Sequence, residues 1–317
     1  MAGFFLKPNA RGHARSISLP ARSHPTTLKI EEELNKLRNL EICSLICLDS
    51  NKLGIAIPGL AELYKSIGDL LKLPQTQQAL TKHDDSSWVD ELLEESVSFL
   101  DVCENTRENL FLLRQSIGKL QSSLRRKNNI NCDNHDHHQS CDIDEDISEY
   151  VSFVKNLKRE MGKSHSLLKQ IDNKLSEFLM FNKVNNDPHI VAVVRVLRET
   201  GLICSNVFRS ILGYFSGTPL QTNKSSKWGL VFKLVHNNSH KGHDEEDLND
   251  LEDVEIALNS LIIKKLSKEG TRMMIQIACK KLHALDTTTQ DLEINLECLF
   301  RQLIHTRVSL LNILSDH

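Results

Sequence analysis

The sequence feature that most constrains the fold is a long apolar stripe in the segment 292–314. Its members recur alternately four and three positions apart, and they are Leu292, Leu296, Leu299, Leu303, Thr306, Leu310 and Ile313. This spacing is typical of a helix whose apolar face packs on other helices, and neither Gly nor Pro interrupts it. A continuous apolar face must be covered. The sequence therefore predicts a structural seam (Leu296, Leu299, Leu303, Leu310 and Ile313) that docks on helices of the same chain or of a second copy.

The composition favours an all-α protein. The 317 residues are 40% hydrophobic but only 5% aromatic, so we expect a core of Leu, Ile and Val. Thirteen Gly and seven Pro are few for this length, which disfavours all-β architectures with many turns. A net charge of −3 argues against nucleic-acid binding. Eight scattered Cys indicate reduced thiols in a cytoplasmic protein, and no apolar run approaches the ~20 residues that span a bilayer.

Apolar periodicity predicts an elongated helical bundle with a long antiparallel hairpin and coiled-coil-like packing. Ser87 and Asp90 open one long helix, heptad spacing over 147–178 predicts another, and the polar stretch between them joins the pair. The predicted order is a disordered basic arm (1–27), N-terminal helices (28–127), a polar linker (128–146), central helices (147–215), a second polar linker (216–246) and C-terminal helices (247–317) that complete the same bundle.

Two boundaries inside these groups follow from local signals. Residues 51–54 are expected to break a helix, with Pro58 at the first position of the next one, where Pro is favoured. Residues 287–289 are all Thr and are expected to cap the terminal helix, while Gly270 separates the helices before it.

The sequence predicts no catalytic, cofactor or metal site. The strongest candidate for a metal site is a group of neighbouring Cys and His residues, whose thiols and imidazoles are ligands that suit zinc. Its members are Cys132, His135, His137, His138 and Cys141. We interpret it as a low-complexity polar loop, because nothing around it predicts the turns or hairpins that hold metal ligands. Neither a glycine-rich phosphate loop nor a G-x-S-x-G motif occurs. We therefore expect a protein that is not an enzyme.

The N-terminal arm carries a motif for regulation. Residues 1–30 hold five Lys/Arg and no Asp or Glu. Arg15 lies three residues before Ser18, which suits a basophilic kinase, and Pro20 follows two residues later. Phosphorylated Ser18 would have the form read by the Arg cluster of 14-3-3 proteins, and Ser16 is a second candidate for phosphorylation. An acid-free start also fits an organelle transit peptide, so a plastid location stays open.

Several blocks along the chain resemble one known family. They are RSISLPARSHP (15–25), LPQTQQAL (73–80), SFLDVCENTRENL (98–110), KLQSSLRR (119–126) and LFRQLIHTRVSLLNILS (299–315). On these blocks the chain resembles the plant BYPASS-related family, from which Glu108 is a conservative departure. The resemblance implies a plant-specific helical protein connected with root and shoot development. It implies no reaction, cofactor or catalytic residue.

Two functions from different classes follow. The first is a non-enzymatic scaffold or regulator that binds other proteins, including 14-3-3, or itself through its helices and arm. The alternative is a peripheral membrane protein that uses the Val-rich segment 188–215 and the basic arm as contacts. An enzyme of unfamiliar type is disfavoured, because no acid, base and nucleophile are clustered in the sequence.

Overall fold

The computed structural model describes residues 25–44, 50–81, 87–130, 140–180, 188–216, 249–263 and 268–315. Within these ranges every residue is α-helical except Lys72, Leu73 and Asn249. The helices in chain order are α1 (Pro25–Ser44), α2 (Ser50–Leu71), α3 (Pro74–Thr81), α4 (Ser87–Ile130), α5 (Ser140–Met180), α6 (Pro188–Ser216), α7 (Asp250–Ile263) and α8 (Lys268–Ser315). The predicted all-α class is confirmed.

The terminal helix α8 is the axis of the bundle. It packs mainly against α4 and α2, and its first half also packs against α7. It runs antiparallel to α4, since Arg114 Nη1 lies 3.1 Å from Glu293 Oε2 while Arg307 Nη1 donates to Ser96 Oγ at 2.8 Å. The five seam residues Leu296, Leu299, Leu303, Leu310 and Ile313 are all 5% exposed or less. The groove that covers this stripe is therefore supplied by helices of the same chain.

The predicted long antiparallel hairpin is formed by α4 and α5, and it is confirmed. Lys119 pairs with Glu149 near one end of the hairpin, and Lys174 Nζ lies 3.3 Å from Glu94 Oε2 near the other. Helix α5 begins at Ser140, inside the stretch that the sequence assigned to a linker. Its first turns are rich in Asp and Glu, which the positive end of a helix dipole favours.

The helices α6 and α7 complete the bundle. Helix α7 packs between α5 and α8, where Lys158 Nζ lies 2.7 Å from Glu255 Oε1 and Lys281 Nζ lies 2.6 Å from Asp253 Oδ2. Helix α6 packs against α5 and α2, α1 packs on α2, and the end of α6 meets the start of α7, where the Tyr214 hydroxyl donates to Asp250 Oδ2 at 3.0 Å. Among the described helices none combines the length and apolar content needed to cross a bilayer.

The break expected at residues 51–54 is wrong. Helix α2 begins at Ser50 and continues through both Gly54 and Pro58. Proline lacks the N–H that would bond to the Gly54 carbonyl, so it weakens this turn. The helix continues because Leu53 and Ile57 lie on its buried face, and packing of that face outweighs the local cost.

The cap expected at residues 287–289 and the separation expected at Gly270 are also wrong, because all of these residues lie inside α8, one continuous helix of 48 residues. The Thr287 and Thr289 hydroxyls donate to the carbonyls four residues earlier, at 3.0 and 2.7 Å, instead of capping a helix start. Thr288 Oγ1 donates to Asp250 Oδ2 on α7 at 2.7 Å. The buried stripe thus extends without a break toward the start of α8.

Candidate functional site

A group of ionisable side chains lies buried where α2, α4 and α6 meet. We call it the polar junction, and its members are Tyr64 from α2, Glu95 and Cys103 from α4, and Arg198 and Cys204 from α6. Both cysteines are fully buried, and Tyr64 is nearly so. The periodicity that folds each helix places these positions inward, among the leucines and valines of the core.

Arg198 ties α6 to α4 through two carboxylates. Its side chain is only 3% exposed, with Nη2 2.8 Å from Glu91 Oε2 and Nη1 3.2 Å from Glu95 Oε2. Glu91 and Glu95 are four residues apart on α4 and so present their carboxylates side by side. A buried guanidinium is tolerated only with such partners, because the interior replaces its hydration poorly.

Glu95 is the junction member whose charge is most sensitive to pH near neutrality. Its side chain is only 11% exposed, and burial raises its pKa to about 7. The neighbouring Arg198 lowers the pKa, while the nearby charge of Glu91 raises it further. Burial prevails because the one guanidinium is shared between two carboxylates.

We expect the Glu95→Gln variant to flatten the dependence of stability on pH. The folded-state pKa lies above the ordinary value of 4.5, so the proton on Glu95 is stabilising. That contribution is complete below about pH 4.5 and is lost as pH rises through about 7. Glutamine cannot ionise. The decrease in the free energy of unfolding from pH 5 to pH 8 should therefore be smaller in the variant than in the wild type, by about 1–3 kcal/mol.

Urea unfolding at several pH values measures this slope. The control is Glu94→Gln, which alters an exposed neighbour that pairs with Lys174 and should leave the slope unchanged. Equal slopes in the wild type and the Glu95→Gln variant would contradict the prediction.

The two thiols of the junction are held protonated. The Tyr64 hydroxyl and the Cys204 thiol are close enough to influence each other's ionisation, and burial raises the pKa of both groups well above their ordinary values. Cys103 Sγ donates to the Leu296 carbonyl at 3.7 Å, and burial raises its pKa to about 12. The thiolate is the nucleophilic form of cysteine, so these thiols are poorly reactive at neutral pH.

A separate cleft lies between α4 and α5. Its volume is 190 Å³, and its lining residues are Asn105, Asn109, Glu160, Lys163, Ser164 and Leu167. Lys163 Nζ lies 2.7 Å from Glu160 Oε2, so its two charged groups neutralise each other. The Asn109 amide donates to the Asn105 carbonyl at 2.7 Å. Most of the polar groups that line the cleft therefore already have partners within the protein.

Most residues singled out for function in the sequence fall outside the described ranges. These are Arg15, Ser16, Ser18 and Pro20 of the arm, and Cys132, His135, His137 and His138 of the polar loop. Cys141 lies in α5, but its side chain is not among those described. Within the described residues no three His, Cys, Asp or Glu side chains form a group that could hold a metal ion.

The Val-rich segment considered as a membrane contact is α6, and it is buried. Its core side chains are Ile190, Val193, Val196, Ile203, Phe208, Ile211 and Phe215. They pack against α5, α2 and other helices of the bundle. In this fold α6 has its apolar surface covered by protein.

Sequence reasoning missed Arg198, although a signal for it exists. Arg198 follows Val194 by four residues, so it falls on the buried face of an otherwise apolar helix. A charge at such a position predicts a buried ion pair, and the pair Glu91 and Glu95 offers adjacent partners. The sequence alone does not identify which pair of acidic residues binds Arg198.

A family model described as Protein BPS1 matches residues 56–313. The matched range begins within α2 and ends within α8, so it contains the polar junction and the whole seam. No curated protein and no solved structure matches the chain.

Proposed function

Because this chain belongs to the Protein BPS1 family, which confirms the resemblance to BYPASS-related proteins, we propose that it is a non-enzymatic regulatory scaffold. Membership in the family suggests a role in plant development. We narrow that role to root and shoot development, exerted in the cytoplasm through contacts with other proteins. The N-terminal arm is the regulated contact in this proposal.

The observation that best supports a non-enzymatic role is the state of the polar junction. Its groups are buried among packed helices, and its thiols have strongly raised pKa values. A catalytic nucleophile instead needs access to substrate and a lowered pKa. The side chains Tyr64 and Arg198 hold helices together, which is a structural task.

The arm supplies a switch based on charge. Before Ser18 is phosphorylated, the residues around it carry only positive charge. The Arg cluster of a 14-3-3 protein repels this charge. A phosphate on Ser18 adds about −1.5 to −2 charges and accepts charge-assisted, often bidentate hydrogen bonds. Pro20 restricts Leu19 to extended backbone, the form in which such peptides are bound.

We expect a synthetic peptide covering residues 4–25 to bind purified 14-3-3 protein only when Ser18 is phosphorylated. Binding should be micromolar or tighter, which is about 8 kcal/mol of binding free energy, and at least about 100-fold tighter than that of the unmodified peptide. Fluorescence anisotropy measures both affinities.

The matched control is the same peptide phosphorylated on Ser16, which has the same charge but the wrong spacing from Arg15 and Pro20. Equal binding of the two phosphopeptides would show that charge alone is read. If no form binds, the arm is not a 14-3-3 ligand, and the transit-peptide interpretation takes its place.

A further inference from the structure

Two neighbouring helix segments of the bundle carry only positive charge. Residues 109–130 of α4 contain five Lys/Arg and no Asp or Glu, and residues 270–285 of α8 contain three Lys/Arg and no Asp or Glu. The antiparallel packing of α4 on α8 brings the two segments together at one end of the bundle. Burial raises the pKa of the Cys279 thiol on α8, and the positive charge of Arg125 on α4 lowers it, so these residues are close.

Three of these eight cations are neutralised by carboxylates. Arg114 pairs with Asp286 and Glu293, Lys119 pairs with Glu149, and Lys281 pairs with Asp253. The remaining five have no ion pair with any described residue, and together they form what we call the basic end: Arg125, Arg126, Lys127, Arg272 and Lys280. All of them are exposed except Lys127, which is half-buried.

Nearby carboxylates only partly balance this charge. Glu145 and Asp146 at the start of α5 act on Lys119, and Arg126, seven residues farther along α4, lies on the same face of the helix as Lys119. Glu269 is exposed about one turn before Arg272. The five cations outnumber these three carboxylates, so among the described residues the basic end keeps an excess of positive charge.

Two exposed apolar side chains lie between the cations of α8. Met273 is 60% exposed and Ile277 is 39% exposed. Residues 273, 277 and 280 are spaced four and three apart, so Met273, Ile277 and Lys280 share one face of the helix. A surface that combines exposed apolar side chains with unpaired Lys and Arg is typical of contact with an anionic membrane.

We propose that the basic end, with Met273 and Ile277, docks on the surface of an anionic lipid bilayer. The cations contact negatively charged headgroups, and the two apolar side chains enter the headgroup region. Two isolated apolar side chains among unpaired cations suit shallow insertion between anionic headgroups, whereas an acidic protein would also need an apolar pocket for Met273 and Ile277, so the membrane is the better fit. This inference goes beyond the proposed function and does not depend on it.

The test uses the full chain and vesicles of phosphatidylcholine containing about 30% phosphatidylserine, an anionic lipid. The test variant combines Arg125→Gln, Arg126→Gln, Arg272→Gln and Lys280→Gln. The control combines Lys72→Gln, Lys155→Gln, Lys169→Gln and Arg195→Gln, four exposed cations elsewhere on the bundle. Both variants lose the same net charge and keep the basic arm. Any difference in vesicle binding between them therefore reports on the basic end alone.

Co-sedimentation should show at least about 100-fold weaker vesicle binding for the test variant, because each cation near an anionic membrane surface raises the affinity about five-fold. The control should bind within about three-fold of the wild type. Equal binding by all three chains, or an equal loss in both variants, would overturn the proposal. Thermal unfolding of both variants checks that these exposed substitutions leave the fold intact.

A second variant distinguishes a membrane from an acidic protein. Met273→Ser with Ile277→Ser should weaken vesicle binding about ten-fold, whereas Ile294→Ser with Ile304→Ser, on an exposed face farther along α8, should not. Binding of a soluble polyglutamate peptide as tight as vesicle binding, with no effect of the Met273 and Ile277 substitutions, would assign the surface to an acidic protein and overturn the membrane proposal.

Discussion

Replacing Leu303 with alanine is expected to lower the free energy of unfolding by about 2–5 kcal/mol. Leu303 is only 2% exposed and lies in the seam that α8 presents to the rest of the bundle. Alanine removes three buried carbon atoms and leaves a cavity that the long neighbouring helices cannot close without bending. The loss therefore combines the lost burial with the cost of that cavity.

The next residue along α8 provides a matched control. Ile304 is 39% exposed and faces outward, so Ile304→Ala should change the free energy of unfolding by less than about 1 kcal/mol. Urea unfolding measured at one pH gives both values. Small and equal effects at the two positions would contradict the packing of α8 described above.

Replacing Arg198 with methionine is expected to cost about 3–5 kcal/mol at pH 8. Methionine approximates the shape of the side chain but leaves the Glu95 carboxylate buried without the cation 3.2 Å away. The cost should be smaller at pH 5, because Glu95 is then protonated and needs no counter-charge. The exposed Glu91, at 53%, regains water and adds little to the loss.

The Arg198→Met, Glu95→Gln double variant tests this explanation. It removes the buried charge together with its partner, so it should be more stable at pH 8 than Arg198→Met alone, by about 1–3 kcal/mol. Arg195→Met, an exposed arginine on the same helix, is the control and should be nearly neutral. A cost for Arg198→Met that is independent of pH and of residue 95 would mean that only packing is lost.

The sequence predicted the features that depend on periodicity. Leu296 and Leu303 recur at seven-residue spacing, and burial of such a stripe is almost independent of what covers it. The start of α4 at Ser87 was predictable for a similar reason, since a hydroxyl followed three residues later by an acid suits a helix start.

The sequence misled where tertiary packing outweighs a local signal. Pro58 and the threonines 287–289 are standard boundary markers, yet both lie inside helices whose buried faces continue past them. A signal read from neighbouring residues does not include the free energy gained by packing against helices that are distant in sequence. The same limit explains the polar junction: Tyr64 and Cys204 are 140 positions apart in sequence, and only the packing of α2 on α6 brings them together.

The position of α8 in the chain has a consequence for synthesis. Helix α8 is translated after every helix against which it packs, and the Thr306 hydroxyl bonds the Tyr64 carbonyl across 242 residues, at 3.2 Å. At about 5–20 residues per second, α2 leaves the ribosome tens of seconds before its partner exists. During that interval the leucine-lined groove of α2 and α4 is open to water. Folding of the nascent protein must therefore wait for translation, and the open groove is where a chaperone would bind in the meantime.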